Sequence, residues 1–434
     1  MKRFNQAIGV CALVFVMGMG IRPAWGQSAE SSKNPFHLQD GDRVVFYGDS
    51  ITEQRYYTTD LEEYMITRFP GSQVSFFNAG VGGDRVSGGW RGPVDQRLHE
   101  DVFTKHPTVV TVMLGMNDGM YRPYDEQIAE SYEKGYRYIV DQILSTDPKV
   151  RLTLIQPSPH DDVTREPDFA DGYNAVLLKY GTFVSELASE KKALVADLNQ
   201  PVVDVLTKAK KDDAAMSTVL IADRVHPGPA VHWVMAEAIL KAWQAPSVVT
   251  RVVVENEKLA VGEQINTTVS GLRRTGTTIS WTQMDRALPL PLPAKELDPG
   301  MSMVLANSDL VEALDREDLR INGLSAGNYE LKIDDRSIGT FPAEALGKGI
   351  NLAVLDTPML IQSRIVGLDT EGRNRLESDY LDLVRKTMKD LESETAKKLA
   401  LALKAAEQKQ KADAAPVVHR YSVAPVATGK TGKP

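Results

Sequence analysis

The sequence predicts an α/β fold in which a parallel sheet is covered by helices, followed by a small β-rich module and a long C-terminal helix. In the first half of the chain, short apolar runs alternate with amphipathic segments. This is the pattern of strands joined by helical crossovers, which forms a parallel sheet with helices on both faces. Beyond Pro246 the pattern changes to strand-like alternation, and near the C-terminus it becomes helical.

The first 26 residues have the features of a secretory signal peptide. Lys2 and Arg3 form a basic start, residues 7–21 are almost wholly apolar, and Ala24-Trp25-Gly26 offers small residues to a signal peptidase. The apolar run is shorter than the roughly 20 residues of a spanning helix. We therefore predict cleavage near Gly26, export to the periplasm or the cell exterior, and no stable membrane insertion of the mature protein. Residues 27–39 are predicted to be a linker.

Charge and cysteine content limit the partners and cofactors. The net charge of −8 argues against nucleic acid as a partner. Cys11 is the only cysteine and lies in the predicted signal peptide, so the mature chain would have no disulfide and no thiolate site. We expect no cofactor and no metal, because Asp49, Asp84 and Asp118 are not placed at the spacing of metal ligands.

The elements of the α/β domain, predicted over residues 40–246, follow from local patterns. Apolar runs predict strands at Val44–Tyr47, Val74–Phe77, Val109–Leu114, Leu152–Gln156 and Ala193–Asp197. A capping box at residues 59–62 and helical periodicity predict helices over 59–69, 86–100, 125–145, 168–189, 199–212 and 229–243. The loops after the first three strands all carry small or polar residues, and they are expected to meet at one edge of the sheet.

The C-terminal half is predicted to contain three further parts. Residues 247–355 form a β-rich module with strand-like segments, a Leu-Pro connector at 288–293 and a hairpin-like piece at 319–333. Residues 356–413 are helical, with one long helix from about 369 to 412 that would either pack on its own protein or join two chains. Residues 414–434 are predicted to be a disordered tail.

Four loops at the predicted sheet edge carry residues suited to acyl transfer. Ser50 follows the first strand and is a candidate nucleophile. In Asp223-Arg224-Val225-His226-Pro227, Asp223 can fold back to accept the Nδ1–H of His226, which turns Nε2 toward a serine. The N–H groups of Ser50 and Gly83 and the side-chain amide of Asn117 can act as donors to an oxyanion. His232 lies within the last helix and is predicted to be structural.

The four blocks resemble those of the SGNH (GDSL-type) hydrolase superfamily. They are Gly48-Asp49-Ser50-Ile51, Asn78-Ala79-Gly80-Val81-Gly82-Gly83, Gly115-Met116-Asn117-Asp118 and Asp223-Arg224-Val225-His226-Pro227. The resemblance spans about residues 42–243 and implies a three-layer α/β/α sandwich (SGNH/flavodoxin-like). It also implies Ser50 as nucleophile, His226 as general base and acid with Asp223 as its orienting partner, and Ser50, Gly83 and Asn117 as the oxyanion hole. A register shift of one residue would put Gly82 in the place of Gly83.

These features predict an exported serine esterase that hydrolyses small acyl esters through an acyl-enzyme. Export, the Ile51-Thr52 variant of the first block and the β-rich module favour O-acetyl groups on a glycan. The alternatives are a lysophospholipase, thioesterase or arylesterase of the same superfamily, a glycan O-acetyltransferase, and a non-catalytic scaffold. The expected partner is an acylated small molecule or glycan, and the C-terminal helix is a candidate surface for oligomerisation.

Overall fold

The computed structural model describes residues 35–294, 298–387 and 393–426. The predicted signal peptide and residues 27–34 of the predicted linker lie outside these ranges. The remaining end of that linker packs on the body of the protein, with the ring of Phe36 stacked on that of Phe69 at a centroid distance of 5.7 Å. Within the described ranges, no helix combines the length and the apolar character needed to cross a membrane.

An α/β domain occupies the first half of the described chain. Its strands are β1 (Arg43–Gly48), β2 (Ser75–Gly80), β3 (Gly88–Gly89), β4 (Gly92–Pro93), β5 (Val109–Met113), β6 (Arg151–Ile155) and β7 (Leu194–Ala196). Its helices are α1 (Ser50–Glu53), α2 (Tyr56–Arg68), α3 (Val94–Arg97), α4 (Glu126–Thr146), α5 (Gly172–Lys191), α6 (Asn199–Asp212), α7 (Ala214–Ser217) and α8 (Pro229–Ala242).

The five longer strands form one parallel sheet in the order β2-β1-β5-β6-β7. β1 has a parallel neighbour on each side, with Val44 opposite Phe76 in β2 and opposite Val109 in β5. The side chains of residues 44–47 are fully buried. A strand covered on both faces reads as a continuous apolar run, which is why this sheet could be predicted from sequence. The predicted parallel sheet with flanking helices is confirmed.

The segment after β2 differs from the helix predicted over residues 86–100. Residues 85–93 instead fold into a short hairpin made by β3 and β4, and the helix begins at Val94. Gly88 and Gly92 have φ values of +87° and +120°, which side chains with a Cβ rarely adopt. The helix then continues through one π turn (Leu98–Val102) and one 3₁₀ turn (Phe103–Lys105).

Helix α2 also begins earlier than the capping box predicted. Arg55 is its cap, with a φ of +67°, and the Thr59 N–H donates to the Arg55 carbonyl at 2.8 Å. The Thr59–Glu62 box therefore lies inside the helix. Nearly every residue of α2 is buried, including charged ones, because the C-terminal region covers the face that would otherwise meet solvent.

The second half of the chain contains two sheets and the helices around them. The strands are β8 (Val248–Glu255), β9 (Ala260–Ile265), β10 (Thr267–Thr275), β11 (Thr278–Asp285), β12 (Arg316–Asn322), β13 (Asn328–Ile333), β14 (Arg336–Pro342), β15 (Ile350–Asn351) and β16 (Val418–Pro425). The helices are α9 (Pro299–Asn307), α10 (Leu310–Leu314), α11 (Ala343–Lys348), α12 (Pro358–Thr387) and α13 (Glu394–Asp413). The sheets have the orders β10-β11-β16-β13-β14 and β15-β12-β8-β9.

Two predictions for residues 247–355 are corrected by this arrangement. The hairpin-like piece at 319–333 is not a hairpin, because β12 pairs in parallel with β8 while β13 belongs to the other sheet. Residues 290–294 and 298–314 are not part of the β-rich module's core. Leu290, Leu292 and residues of α9 and α10 join the hydrophobic core of the α/β domain, where burial of their apolar surface stabilises both halves together.

The predicted disordered tail and the single long helix are also corrected. β16 lies between β11 and β13 in the five-stranded sheet, so residues 418–425 are an internal strand. The helical region is an antiparallel pair, α12 and α13, joined across residues 388–392 that the structure does not describe. Lys409 of α13 contacts Asp369 of α12 at 2.6 Å. α12 packs on α2, where its Glu377 contacts Arg55 at 3.0 Å.

Candidate active site

Ser50 is the first residue of α1 and lies at the carboxyl edge of the parallel sheet. The carboxylate of Asp49 caps this helix, because its Oδ1 accepts the Ile51 N–H at 3.0 Å. Only glycine allows α1 to pack so closely on the sheet. A Cβ on Gly48 would lie 2.1 Å from Thr52 Oγ1, and a Cβ on Gly80 would lie 2.2 Å from the Glu53 nitrogen. The first sequence block therefore presents a serine at a helix N-terminus.

His226 joins Ser50 to Asp223 by two short hydrogen bonds. Its Nε2 lies 2.8 Å from Ser50 Oγ, and its Nδ1 lies 2.7 Å from Asp223 Oδ2. Asp223 Oδ1 also accepts the backbone N–H groups of Val225 and His226, at 3.0 and 2.8 Å. Partial burial acts to raise the pKa of Asp223, but the hydrogen bonds from His226 and Val225 outweigh it and lower that pKa. An ionised Asp223 holds the imidazole with Nε2 facing the serine.

The loop that carries Asp223 and His226 is braced by a second loop that sequence analysis missed. Arg224 has a φ of +71°, a conformation that needs support from its surroundings. Its carbonyl accepts the Asp161 N–H at 2.8 Å. The Arg165 guanidinium donates to the carbonyls of Ile221 and Ala222, at 2.9 Å each. No local pattern marks Asp161 or Arg165, since both act on residues about 60 positions away in the chain.

Gly82 and Gly83 form a tight turn beside Ser50. The turn is closed by the Asp84 N–H, which donates to the Val81 carbonyl at 3.1 Å, and Gly83 at its third position has a φ of +75°. A Cβ on Gly82 would lie 3.9 Å from the Ser50 Cβ. Within the described part of the chain, the N–H groups of Ser50 and Gly83 donate no hydrogen bond, so both are available to an acceptor at the site.

Asn117 is held by two hydrogen bonds in the loop after β5. Its Nδ2 donates to the Asp84 carbonyl at 3.0 Å, and its Oδ1 accepts the Tyr121 hydroxyl at 3.0 Å. Met120 and Tyr121 have φ values of +57° and +53°, and two consecutive side chains in this region indicate a strained loop. The two contacts fix the plane of the amide and leave its second N–H for another acceptor. Tyr121 was not predicted as a site residue.

His232 lies apart from this arrangement and is fully buried. Its Nδ1 accepts the Tyr57 N–H at 3.2 Å, and its ring is stacked on that of Tyr57 at 5.9 Å. Burial lowers the pKa of His232 to about 3, so the ring is neutral at physiological pH. The contacts of His232 link the start of α2 to α8.

The three aspartates near the site have separate partners. Asp84 pairs with the buried guanidinium of Arg97 at 2.7 Å, Asp118 Oδ1 accepts the Val86 N–H at 2.9 Å, and Asp49 caps α1. Together they fix the Gly82–Gly83 turn, the hairpin and helix α1 to the edge of the sheet. Among the described residues, no group of three or more His, Cys, Asp or Glu side chains is arranged to hold a metal ion.

Asp118 should make the stability of the protein depend on pH. Burial raises its pKa from 3.8 to about 7. At a pH between these two values, Asp118 is mostly protonated in the folded protein and mostly ionised in the unfolded chain. The stabilising contribution of Asp118 is therefore complete below the unfolded pKa and is lost as the pH rises through about 7. We expect Asp118→Asn, which keeps the acceptor for Val86, to gain stability relative to the wild type as pH rises from about 5 to about 8. Urea unfolding of both proteins across this range measures the difference, and parallel curves would contradict the assignment.

The comparison with known families finds a match within the α/β domain. Residues 46–234 match the model of the GDSL-like Lipase/Acylhydrolase family. Over these residues the domain is similar to that family. The match covers all four sequence blocks, and it confirms the predicted SGNH (GDSL-type) relationship.

Two known proteins resemble this chain over different lengths. The acetylxylan esterase of Geobacillus stearothermophilus is 25% identical over 227 residues, which are 47% of this chain and 94% of that protein. The structure of a gut microbial diltiazem-metabolizing enzyme is 26% identical, with a TM-score of 0.78, and the match covers 90% of this chain and 98% of that one. The second likeness therefore extends through the β-rich and helical parts. Family and relatives together make the protein a carboxylic ester hydrolase.

Proposed function

We propose that this protein is an exported serine esterase that removes small acyl groups, chiefly O-acetyl groups, from carbohydrate. The observation that carries the proposal is the continuous chain of hydrogen bonds from Asp223 through His226 to Ser50, at 2.7 and 2.8 Å. A serine becomes a strong nucleophile when a base accepts its proton and a third group holds that base in the correct tautomer.

In the first half-reaction, Ser50 Oγ attacks the ester carbonyl while His226 Nε2 takes its proton. The oxygen of the tetrahedral intermediate accepts hydrogen bonds from the Ser50 N–H, the Gly83 N–H and Asn117 Nδ2. As the intermediate collapses, His226 returns the proton to the leaving alkoxide, which departs as the free hydroxyl of the sugar. In the second half-reaction His226 activates water, which attacks the acyl-serine and releases the carboxylic acid.

Three observations support the substrate class and the location. One relative is an acetylxylan esterase and another metabolises the drug diltiazem, so we assign a small acyl group on a ring-bearing alcohol. The basic start, apolar run and Ala-Trp-Gly site of residues 1–26 support export. A polymeric glycan is a substrate that an exported enzyme would meet outside the membrane.

The test compares acyl chain length and alcohol. The protein lacking residues 1–26 is assayed with p-nitrophenyl acetate and octanoate, and acetate release is followed from acetylated xylan and from diltiazem. We expect acetate to be preferred over octanoate, release of acetate from acetylated xylan, and a loss in kcat of roughly 10²-fold in Asn117→Ala.

Other results of this test would favour the other functions. A preference for octanoate would indicate a lipid or thioester substrate. Transfer of acetyl to added xylooligosaccharide faster than to water would indicate an acetyltransferase. A folded wild type without turnover of any ester would contradict the catalytic proposal.

A further inference from the structure

Trp90 is the most exposed of the large apolar side chains in the described residues, at 76% exposure. It lies at the tip of the β3–β4 hairpin, among Gly88, Gly89, Arg91 and Gly92. Leaving an indole in water forgoes the free energy of burying a large apolar surface.

The indole is held in place rather than loosely attached. Its Nε1 donates to the Gly82 carbonyl at 3.0 Å. The hairpin beneath it is closed by the Gly88 N–H, which donates to the Arg85 carbonyl at 2.9 Å, and is anchored by the Val86 N–H on Asp118. Because the one polar atom of the side chain is already bonded within the protein, the part of Trp90 that faces solvent is its apolar ring.

The residue that holds this ring adjoins the candidate nucleophile. Gly82, which holds the indole nitrogen, is the residue whose Cβ position lies 3.9 Å from the Ser50 Cβ. On the Asn117 side of the site, Tyr121 is also 44% exposed and its hydroxyl is bonded to Asn117. Two exposed rings are therefore tied by hydrogen bonds to the two loops that carry the candidate oxyanion donors, Trp90 to the glycine turn and Tyr121 to Asn117.

We infer that Trp90 is a sugar-binding subsite on which the pyranose ring of the acylated alcohol stacks. This inference rests on the proposed function and specifies the part of the alcohol that is recognised. A pyranose ring has one face of C–H groups, which packs against an indole while its hydroxyls stay in water. A single fixed ring among glycines and arginine offers a flat apolar area of that size. A long acyl chain would require a larger continuous apolar surface.

Kinetics with three acetate esters test the subsite. For each variant, kcat/KM on acetylated xylotetraose and on p-nitrophenyl acetate is divided by kcat/KM on ethyl acetate, whose alcohol has no ring. We expect Trp90→Ala to lower the xylotetraose ratio about 10-fold, mainly through KM, and Trp90→Phe, which keeps a ring but loses the bond to Gly82, to lower it less than about 3-fold. Tyr138→Ala removes an exposed ring on α4, bonded to Asp95, and serves as the control.

Intrinsic fluorescence gives a second readout that does not depend on turnover. The other three tryptophans of the described residues, Trp233, Trp243 and Trp281, are buried, so a change in solvent exposure of indole on binding reports Trp90. In Ser50→Ala protein, acetylated xylotetraose should shift the emission to shorter wavelength, and ethyl acetate should not.

The outcomes separate failure of the subsite from failure of the proposed function. A wild type that hydrolyses ethyl acetate and not acetylated xylotetraose would overturn the carbohydrate substrate and the subsite together. The subsite alone would be overturned by three results together: normal deacetylation of acetylated xylotetraose by the wild type, an unchanged xylotetraose ratio in Trp90→Ala, and no shift of the tryptophan emission. A fall confined to the p-nitrophenyl ratio would assign the indole to aryl alcohols and overturn the sugar assignment.

Discussion

Ser50→Ala is expected to lower kcat on p-nitrophenyl acetate by more than about 10⁴-fold, because it removes the atom that we propose forms the acyl-enzyme. The double variant Ser50→Ala/His226→Ala should lose about as much kcat as Ser50→Ala alone, because residues that act as one unit do not contribute additively. A mass spectrum taken after a fluorophosphonate is added should show one adduct on Ser50 in the wild type and none in the variant.

Ser189→Ala is the matched control for this prediction, because Ser189 is an exposed serine near the end of α5 and outside the candidate site. Its kcat should equal that of the wild type. Two results would contradict the assigned nucleophile: a Ser50→Ala protein with wild-type turnover, or an adduct that persists on another residue.

Removal of residues 414–434 should destroy the five-stranded sheet, although sequence patterns alone predicted a disordered tail. Tyr421 of β16 is 1% exposed and stacks on Trp281 of β11 at a centroid distance of 5.1 Å. Without β16, β11 and β13 lose their shared neighbour and expose unpaired backbone and apolar side chains. We expect the truncated protein to show a red-shifted Trp281 emission and loss of the cooperative unfolding transition, or to aggregate.

Point variants of the same strand give a graded form of this test. Tyr421→Ala should lower the free energy of unfolding by about 3–5 kcal/mol, the usual cost of removing a buried aromatic ring. Arg420→Ala changes a neighbouring exposed side chain and should alter that free energy by less than about 0.5 kcal/mol. Equal unfolding midpoints for the Tyr421→Ala and wild-type proteins would contradict the role of β16.

The parts of the fold that could be predicted are those whose signal is local. The strand at Val44–Tyr47 is buried on both faces and therefore apolar throughout. The contact between Asp223 and His226 is made within one turn, so its spacing is visible in the sequence. The placement of Ser50, Gly83 and Asn117 at one edge follows from the rule that parallel strands present their carboxyl ends together.

The parts that could not be predicted depend on residues far apart in the chain. The brace from Arg165 to the loop of His226 and the packing of α9 on α8 have no local signature. β16 did have a weak local signature, because the buried residues His419, Tyr421 and Val423 alternate with residues that are exposed or half-buried. Its Ala-Pro and Thr-Gly surroundings obscured that pattern. Glycines at 88, 89 and 92 likewise indicated a hairpin where periodicity suggested a helix.

The position of β16 has a consequence for the order in which the protein can assemble during its synthesis. The α/β domain contains all the strands of its own sheet by residue 196, so that sheet can close early. The sheet of the second half must wait, with β11 and β13 as open edges, until residues 418–425 have emerged from the ribosome. Open edges invite pairing with other chains. A factor that shields nascent chains should therefore increase the yield of this protein most during the last steps of translation and just after release.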